Sequence, residues 1–398
     1  MENLIQYSAN MIQAVDMKFR RYLWDRINWN NRLIIITGAR GVGKTTLMLQ
    51  YIKENFSGNT GEVLYASLDD LYFAKNSLVT FAGEFVKRGG KVLFLDEVHK
   101  YKNWSQELKS SYDYFPDLKI VATGSSALDI YKGKADLSRR AMVYSLNGLS
   151  FREFIALKYN IDFQVLKLEN VLKHSPDIIP SVIREVKPIR LFEEYIQWGY
   201  YPFFTEGTEE YHIRIRQVIS HILDVDLPSA ENIDFNAVQR LRTLLAVISE
   251  ITPFKPNILK LSQQVGTSRE TLLRYLYLLE RADMLLLLKS GTKGISKMNK
   301  PDKVYLNNPN LLYALTQGVA NPGNIRETFF FNQLRTVHTI SNAPSGDFLV
   351  DNTYTIEVGG QNKQQKQIAG IRNAYIAADN IEHSHQNRIP LWLFGFLY

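Results

Sequence analysis

Short apolar runs separated by amphipathic stretches dominate the first 150 residues of the chain. Continuous runs of this length are typical of parallel strands that are buried on both faces. The predicted strands are LIIIT (33–37), VLYASL (63–68), VLFLD (92–96), KIVATGS (119–125) and AMVYSL (141–146). The predicted helices are 45–55, 75–88 and 104–114, and an aromatic-rich helical region covers the first 30 residues. Strands that alternate with helices predict an α/β domain built on a parallel sheet.

From residue 148 to residue 250 the pattern changes to helical periodicity with interruptions. Three prolines fall within HSPDIIPSVIREVKP (174–188), and we predict a loop there because proline interrupts helices.

Residues 254–290 predict two helices joined by a glycine turn and followed by an apolar strand. Thr267 and Glu270 have the spacing of a capping box at the start of the second helix. One face of that helix is apolar, through Leu272, Leu276 and Leu279. This order of elements is typical of a helix-turn-helix, with a wing formed by strands at 284–288 and 303–306.

The second of these helices carries the side chains that would meet DNA, namely Arg269, Arg274 and Tyr275. A winged helix that serves only for packing or for binding a protein explains the same pattern equally well.

A glycine-rich loop follows the first predicted strand and precedes a predicted helix. Its sequence, GARGVGKTT (38–46), fits the pattern G-x-x-x-x-G-K-[ST] of phosphate-binding loops. Glycines allow successive backbone N–H groups to point at anionic oxygens, and the helix N-terminus adds positive potential. Lys44 is expected to reach the β- and γ-phosphates, and the Thr45 hydroxyl is expected to bind Mg²⁺. The nucleotide-binding residues predicted here are Gly38, Ala39, Arg40, Gly41, Val42, Gly43, Lys44, Thr45 and Thr46.

Two consecutive carboxylates end the third predicted strand, in KVLFLDE (91–97). Asp96 is placed to complete the Mg²⁺ shell, as the second acidic group of such sites does. Glu97 is placed to polarise a water for attack on the γ-phosphate. Together with the loop, this segment predicts an ATPase-type site.

Polar residues after the next strand, and two arginines before the last strand, are further candidates. Thr123, Ser125 and Ser126 could sense the γ-phosphate or form a simple turn. Arg139 or Arg140 could stabilise transferring phosphate, within one chain or across a subunit boundary, or form a plain surface pair.

Three separated acids in the last 80 residues predict a possible second metal site. Glu327 lies on a predicted helix, Asp347 opens the strand DFLV, and Glu357 lies on the strand TYTIEVGG. Such an arrangement is found in restriction-type nucleases, which also use a lysine two residues beyond the last acid. That position here is Gly359, so Lys363 or Lys366 would have to fold back to replace it.

The register of the hairpin decides whether two of these acids share a face. A three-residue loop at 351–353 places Asp347 opposite Glu357, whereas a two-residue loop places them on opposite faces. Glu327 also has a purely structural explanation, because Asn324 and Glu327 have nearly the spacing of a capping box.

The composition excludes some kinds of site but does not identify the function of the protein. The chain has 398 residues, a formal charge of +7 and no cysteine, so disulfides and Cys-ligated metals are excluded. The positive charge is dispersed, which permits binding to polyanions without establishing it. No apolar run approaches the roughly 18 residues that span a membrane, and the N-terminus lacks the pattern of a signal peptide. We therefore expect a cytoplasmic protein with no membrane partner.

The chain resembles the prokaryotic AAA-type P-loop ATPases that carry a C-terminal domain of unknown function. The segments that carry the resemblance are GARGVGKTT, VLFLDEVHKYKNW, ATGSSALDI, SRR followed by SLNGLSFREF, WGYYPFF, the helix-turn-helix at 258–280 and the DFLV–IEVGG pair. They span the chain from about residue 15 to about residue 370, in the order typical of the family.

The resemblance implies a fold class of α/β P-loop NTPase followed by a helical lid, a winged helix and a C-terminal α+β nuclease-like domain. The corresponding domains are 1–148, 149–250, 251–308 and 309–398. It implies that ATP and Mg²⁺ bind at Lys44, Thr45 and Asp96. It also implies the catalytic residues, with Glu97 as base, Ser125 as sensor and Arg140 as the arginine preceding LSF.

The leading functional hypothesis is an ATPase whose nucleotide state moves the C-terminal module on duplex DNA or on a protein partner. One alternative is a slow, nucleotide-gated binding switch. Another is an ATP-controlled nuclease, which the missing lysine after Glu357 disfavours. An arginine acting in trans would require an oligomer.

Overall fold

The computed structural model describes residues 1–58, 61–124, 137–173, 177–228, 233–251, 253–290, 300–316 and 320–398. The chain divides into two compact units, Met1–Asn147 and Gly148–Tyr398. None of the described helices is long and apolar enough to span a lipid bilayer.

The first unit is built on a five-stranded parallel sheet. Its strands are β1 (Leu33–Thr37), β2 (Val63–Ser67), β3 (Val92–Asp96), β4 (Lys119–Gly124) and β5 (Met142–Ser145). Their order in the sheet is β2-β3-β4-β1-β5. All four pairings are parallel, so the C-terminal ends of β1, β3 and β4 meet at one edge of the sheet. This confirms the predicted parallel α/β fold.

Helices of this unit follow the predicted ones closely, except at the N-terminus. They are α1 (Glu2–Ala14), α2 (Lys44–Asn55), α3 (Leu78–Lys87) and α4 (Trp104–Tyr114). The prediction of helix up to residue 30 was wrong, because α1 ends at Ala14 and irregular turns follow. In those turns Trp24 and Trp29 pack against Tyr51 of α2, with the Trp29 and Tyr51 rings stacked at 3.7 Å. Packing of aromatic rings, more than helical periodicity, therefore fixes this segment.

The second unit is mainly helical in its first two thirds. Its helices are α5 (Phe151–Tyr159), α6 (Leu168–Leu172), α7 (Ile178–Glu185), α8 (Pro188–Trp198), α9 (Tyr211–His221), α10 (Phe235–Ile251), α11 (Ile258–Val265), α12 (Arg269–Arg281), α13 (Pro309–Leu315) and α14 (Pro322–Leu334). Much of the loop predicted at 174–188 is helix α7. Pro180 is tolerated there because it lies in the first turn, where no intrahelical acceptor needs its missing N–H.

Helices α11 and α12 form with Gly266 between them in the left-handed conformation. Ser268 caps α12 by accepting a hydrogen bond from the Thr271 N–H, so the predicted cap at Thr267 is displaced by one residue. Strands β6 (Leu285–Leu288) and β7 (Lys303–Leu306) pair antiparallel after them. The elements expected of a winged helix are present, and their use as one stays a prediction.

A second sheet of five strands lies near the end of the chain. Its strands are β8 (Ile340–Asn342), β9 (Phe348–Val350), β10 (Tyr354–Gly359), β11 (Ala374–Ala378) and β12 (Arg388–Pro390). They lie in the order β12-β11-β10-β9-β8. The pairs among β8, β9 and β10 are antiparallel, and those among β10, β11 and β12 are parallel. Ile356 pairs with Phe348 across the hairpin, which corresponds to the three-residue loop at 351–353.

Candidate nucleotide site

The loop between β1 and α2 has the backbone conformation that its glycines permit. Gly41 and Gly43 have φ angles of 84° and 95°, in the left-handed region that favours glycine. Gly38 lies so close to the chain after β5 that a Cβ atom there would be 2.2 Å from the carbonyl oxygen of Leu146. Helix α2 begins immediately afterwards at Lys44, so its N-terminus faces the same loop.

Lys44 and Thr45 connect this loop to the end of β3. The Lys44 ammonium is buried and donates to the backbone oxygens of Gly38 and Ala39, at 2.9 Å each. The Thr45 hydroxyl donates to Asp96 Oδ2 at 2.6 Å. The structure therefore brings together the three residues that were expected to bind the β- and γ-phosphates and Mg²⁺.

The Asp96 carboxylate is buried and held by hydroxyl groups from three different elements. Besides Thr45, the Tyr65 hydroxyl of β2 donates to Asp96 Oδ2 at 2.9 Å, and the Thr123 hydroxyl of β4 donates to Oδ1. Burial, and then the neighbouring Asp96 charge, raise the pKa of Tyr65 far above its ordinary value, so this phenol remains a donor. The role of Tyr65 was not foreseen. In the sequence, Tyr65 differs from its neighbours only by carrying a phenol hydroxyl within a mostly aliphatic strand.

Glu97 follows Asp96 with a backbone conformation that is unusual for a residue with a side chain. Its φ angle is 52°, in the left-handed region. The Glu97 N–H donates to Asp96 Oδ1 at 3.1 Å and to the Thr123 hydroxyl at 3.3 Å. The carboxylate is partly exposed, and its Oε2 atom lies 3.4 Å from Nε2 of the buried His99. Backbone strain of this kind is concentrated at functional sites, so it agrees with a functional role for the Glu97 carboxylate.

The remaining predicted catalytic residues are not brought to this site by the described structure. Ser125 and Ser126 lie outside the described residues. Arg140 donates two hydrogen bonds to the carboxylate of Asp113 on α4, at 2.9 and 3.0 Å, and Arg139 is exposed. The predicted action of Arg140 on phosphate therefore stays a prediction.

The groups at the edge of the sheet fit a magnesium nucleotide. A hydroxyl and a carboxylate oxygen are ligands that Mg²⁺ prefers, and Thr45 and Asp96 place one of each within hydrogen-bonding distance. Left-handed glycines and the N-terminus of α2 supply the N–H groups of an anion cradle. The donor set thus matches the cofactors expected from the sequence.

Two of the three candidate acids in the second unit share a lysine partner. Lys303 of β7 contacts Asp347 Oδ1 at 3.0 Å and Glu327 Oε2 at 3.3 Å. The Tyr305 hydroxyl also donates to Glu327, at 2.9 Å. Burial and the nearby Asp347 charge raise the pKa of Glu327. Lys303 was not foreseen, since nothing in its local sequence marks it.

Glu357 has a different lysine partner, which comes from the chain after β10. Lys363 folds back to within 2.5 Å of Glu357, and its stem covers Gly359, where any side chain would collide with it. Burial raises the pKa of the Glu357 carboxyl. No three carboxylate or imidazole groups within the described ranges lie close enough to hold a metal ion. The acids predicted to form a second metal site instead form ion pairs with Lys303 and Lys363.

The two helices of the winged-helix region present only part of the predicted DNA-facing set. Arg269 and Arg274 are exposed on α12. Tyr275 is 5% exposed and belongs to the core, so the prediction that it meets DNA was wrong. It lies one position before Leu276 and faces the same buried side of the helix.

Comparison with known families agrees with the geometry of the first unit. Residues 30–155, which include β1 to β5 and the phosphate-binding loop, match the model of an AAA domain. This chain contains an AAA domain. Residues 189–321 match a second model, a domain of unknown function (DUF8612). The AAA match includes the candidate nucleotide site, and the second match lies in the chain that follows it.

A curated relative is similar in sequence over much of the chain. It is the uncharacterized protein MJ1637 of Methanocaldococcus jannaschii, 27% identical over 289 residues. The aligned region covers 70% of this chain and 61% of that protein, less than two thirds of its length.

Solved structures show only weak overall similarity. AMPPCP-bound DnaA from Aquifex aeolicus is 14% identical, with 70% of this chain and 88% of that chain covered and a TM-score of 0.26. PCH-2 of C. elegans is 15% identical, with coverages of 66% and 65% and a TM-score of 0.26. Similarity at this level does not bear on the function of this chain.

Proposed function

We propose that this protein binds ATP with Mg²⁺ and hydrolyses it at the edge of the parallel sheet. The observation that carries the proposal is the contact of Thr45 with Asp96 beside the buried ammonium of Lys44. Three groups of the required chemistry thereby meet at the N-terminus of α2.

Each residue has a separate task in this proposal. Lys44 and the N–H groups of the loop bind the β- and γ-phosphates. Thr45 and Asp96 hold Mg²⁺, which when bound neutralises charge on the phosphate oxygens. Glu97 accepts a hydrogen bond from the attacking water and receives its proton.

We further propose that the nucleotide state controls binding of the second unit to duplex DNA or to a protein. The exposed arginines of α12 and the helix-turn-helix order of elements support DNA. A slow switch would use the same residues with little turnover, so the hydrolysis rate separates it from an active ATPase.

A metal-dependent nuclease activity in the second unit is a weaker candidate, because no three carboxylate or imidazole groups of the described residues lie close enough to hold a metal ion. It is favoured by Lys363, which supplies Glu357 with the amine that the sequence lacks at position 359. The position of Lys303 between Glu327 and Asp347 weighs against it. We therefore keep ATP hydrolysis as the leading function.

Nucleotide binding by the Lys44→Ala variant tests the central proposal. Removing the ammonium leaves the phosphate charge uncompensated, so we expect tight ATP binding to be lost while the protein remains folded. Binding of a fluorescent ATP analogue, together with steady-state phosphate release, measures both properties. Wild-type affinity in Lys44→Ala would contradict the assignment of the phosphate site.

A further inference from the structure

A buried arginine from the segment before β1 reaches the phosphate-binding loop. Arg21 is only 5% exposed. Its guanidinium donates to the carbonyl oxygen of Val42, within the loop, and to that of Asn147 at 2.7 Å, just beyond β5. A buried guanidinium fixes the peptide groups whose oxygens accept its hydrogen bonds. If its buried N–H donors had no acceptors, the folded state would lose free energy of stabilisation.

The contact with Val42 orients a peptide group of the nucleotide cradle. In a trans peptide the C=O of Val42 and the N–H of Gly43 point in opposite directions. Arg21 holds this carbonyl, so the Gly43 N–H is directed away from the guanidinium. Gly43 adopts φ 95° and caps α2 directly before Lys44, where an N–H group can bind phosphate.

The contact with Asn147 ties the same guanidinium to the other side of the loop. Asn147 follows Leu146, whose N–H donates to the carbonyl of Thr37 at 2.8 Å. The carbonyl of Leu146 lies against Gly38, the first residue of the loop. Arg21 therefore braces the loop near its last turn and near its first glycine.

The segment that carries Arg21 is itself anchored, so the arginine acts from a fixed base. The Gln50 side-chain amide of α2 donates to the carbonyl oxygens of Asp16 at 2.7 Å and Phe19 at 2.8 Å. The hydroxyl of Tyr22 donates to the carbonyl oxygen of Ser145 at 3.0 Å. These contacts keep residues 16–22 beside α2 and β5.

We propose that Arg21 is a positioning residue that holds the phosphate-binding loop in its nucleotide-binding conformation. The inference rests on the proposed ATP site and adds to it a residue upstream of the sheet, outside the sequence motif and outside the matched AAA domain. It acts through Val42 and Gly43 on the affinity for phosphate groups.

The test compares Arg21→Met with a matched control, Tyr22→Phe, in the full chain. Tyr22→Phe removes the hydroxyl contacts of the adjacent residue with Ser145 and Asn147 but leaves the hydrogen bond of Arg21 to Val42 in place. For Arg21→Met we expect ATP and ADP affinities to fall at least about tenfold, as for loss of a charged hydrogen-bond donor. The value of kcat at saturating ATP should stay within about threefold, since Asp96 and Glu97 remain in place. Tyr22→Phe should change affinity by less than about threefold.

The outcomes separate this inference from the proposed function. Unchanged ATP affinity in Arg21→Met, or an equal loss in Tyr22→Phe, overturns the role of Arg21. Absence of ATP binding in the wild-type protein, or retained binding in Lys44→Ala, overturns the ATP site itself. Thermal unfolding verifies that each variant is folded. If Arg21→Met does not fold, Arg21→Gln, which keeps a polar donor in the buried position, is judged by the same criteria.

Discussion

Asp96 and Glu97 are consecutive carboxylates whose surroundings assign them different tasks. Asp96 is buried and accepts hydrogen bonds from hydroxyls of three elements, so its position is fixed. Glu97 is partly exposed, and its backbone adopts the left-handed conformation. A fixed carboxylate suits metal binding, and a more exposed one beside His99 suits proton transfer from water.

Replacement of Glu97 by glutamine tests this division of tasks. The amide keeps the size of the side chain but accepts protons poorly, so we expect ATP to bind normally. Turnover should fall at least about a hundredfold, in line with the loss of a positioned general base. Single-turnover hydrolysis and equilibrium ATP binding, measured on the same preparation, provide both values. A variant that hydrolyses ATP at the wild-type rate would place the base elsewhere.

The sequence predicted that residues of two local motifs meet at one site, but it did not single out residues that reach this site from other elements. Lys44, Thr45 and Asp96 belong to two patterns with fixed spacing, and the structure brings them together. Tyr65 and Arg21 reach the same site from another strand and from the preceding segment. Their contribution depends on strand order and on packing, which residue spacing does not encode.

At the scale of elements, the hairpin register of β9 and β10 places Asp347 opposite Glu357 on one face of the sheet, as a three-residue loop requires. Helix α14 carries Glu327, and Lys303 contacts both Glu327 and Asp347. The cap of α14 is Asn321, so the capping explanation for Glu327 was wrong. Glu327 therefore makes its polar contacts with residues outside its own helix.

The Lys303→Met variant measures how much this ion pair contributes to stability. Both carboxylates are largely buried, with side chains 18% and 14% exposed, so loss of their shared cation should lower the free energy of unfolding by about 3 kcal/mol. Urea unfolding of the full chain provides the measurement. Arg190→Met, which removes a cation that is 80% exposed, is the control and should cost less than about 0.5 kcal/mol. A loss no larger than that of the control would show that the acids do not depend on Lys303.

The pH dependence of this variant follows from Glu327. Its pKa is raised in the folded protein, so the folded state binds more protons than the unfolded state between the ordinary pKa and the raised one. Stability from this group is therefore present at low pH and is lost as the pH rises through that window. Lys303 lowers the pKa of Glu327, so without Lys303 the window extends to higher pH. The free energy of unfolding of Lys303→Met should therefore differ from that of the wild type more at pH 8 than at pH 5.

From β1 onward, strands and helices of the first unit were predicted within a few residues because apolar runs and helical periodicity coincide with burial there. In the second unit, no pattern in the sequence NNPN (307–310) predicts the hydrogen bonds that Asn310 makes. Asn310 accepts hydrogen bonds from the Tyr200 N–H and the Tyr211 hydroxyl, and it donates to the carbonyls of Tyr195 and Ile196. A buried amide that bridges three helical segments has no periodic signature, so sequence patterns cannot reveal it.

At the scale of the whole molecule, the two family matches cover different parts of the chain. The AAA match covers 30–155, with the nucleotide site, and the domain of unknown function covers 189–321, with α12. If ATP controls the second unit, then a ligand of that unit must change the affinity of the protein for ATP. Coupling between two sites is reciprocal for binding, so ATP must also change the affinity for that ligand.

Duplex DNA is the ligand that the exposed Arg269 and Arg274 favour, and the double variant Arg269→Gln/Arg274→Gln tests it. We expect DNA to stimulate ATP hydrolysis by the wild-type protein at physiological salt, and the double variant to lose this stimulation. If each arginine contacts one phosphate, the salt slope of binding should fall by about two. Lys87→Gln/Arg88→Gln removes the same charge from the exposed end of α3 and serves as the control. An equal loss in the control would indicate non-specific attraction. No stimulation of the wild type would contradict coupling to DNA and would favour a protein partner or an isolated switch.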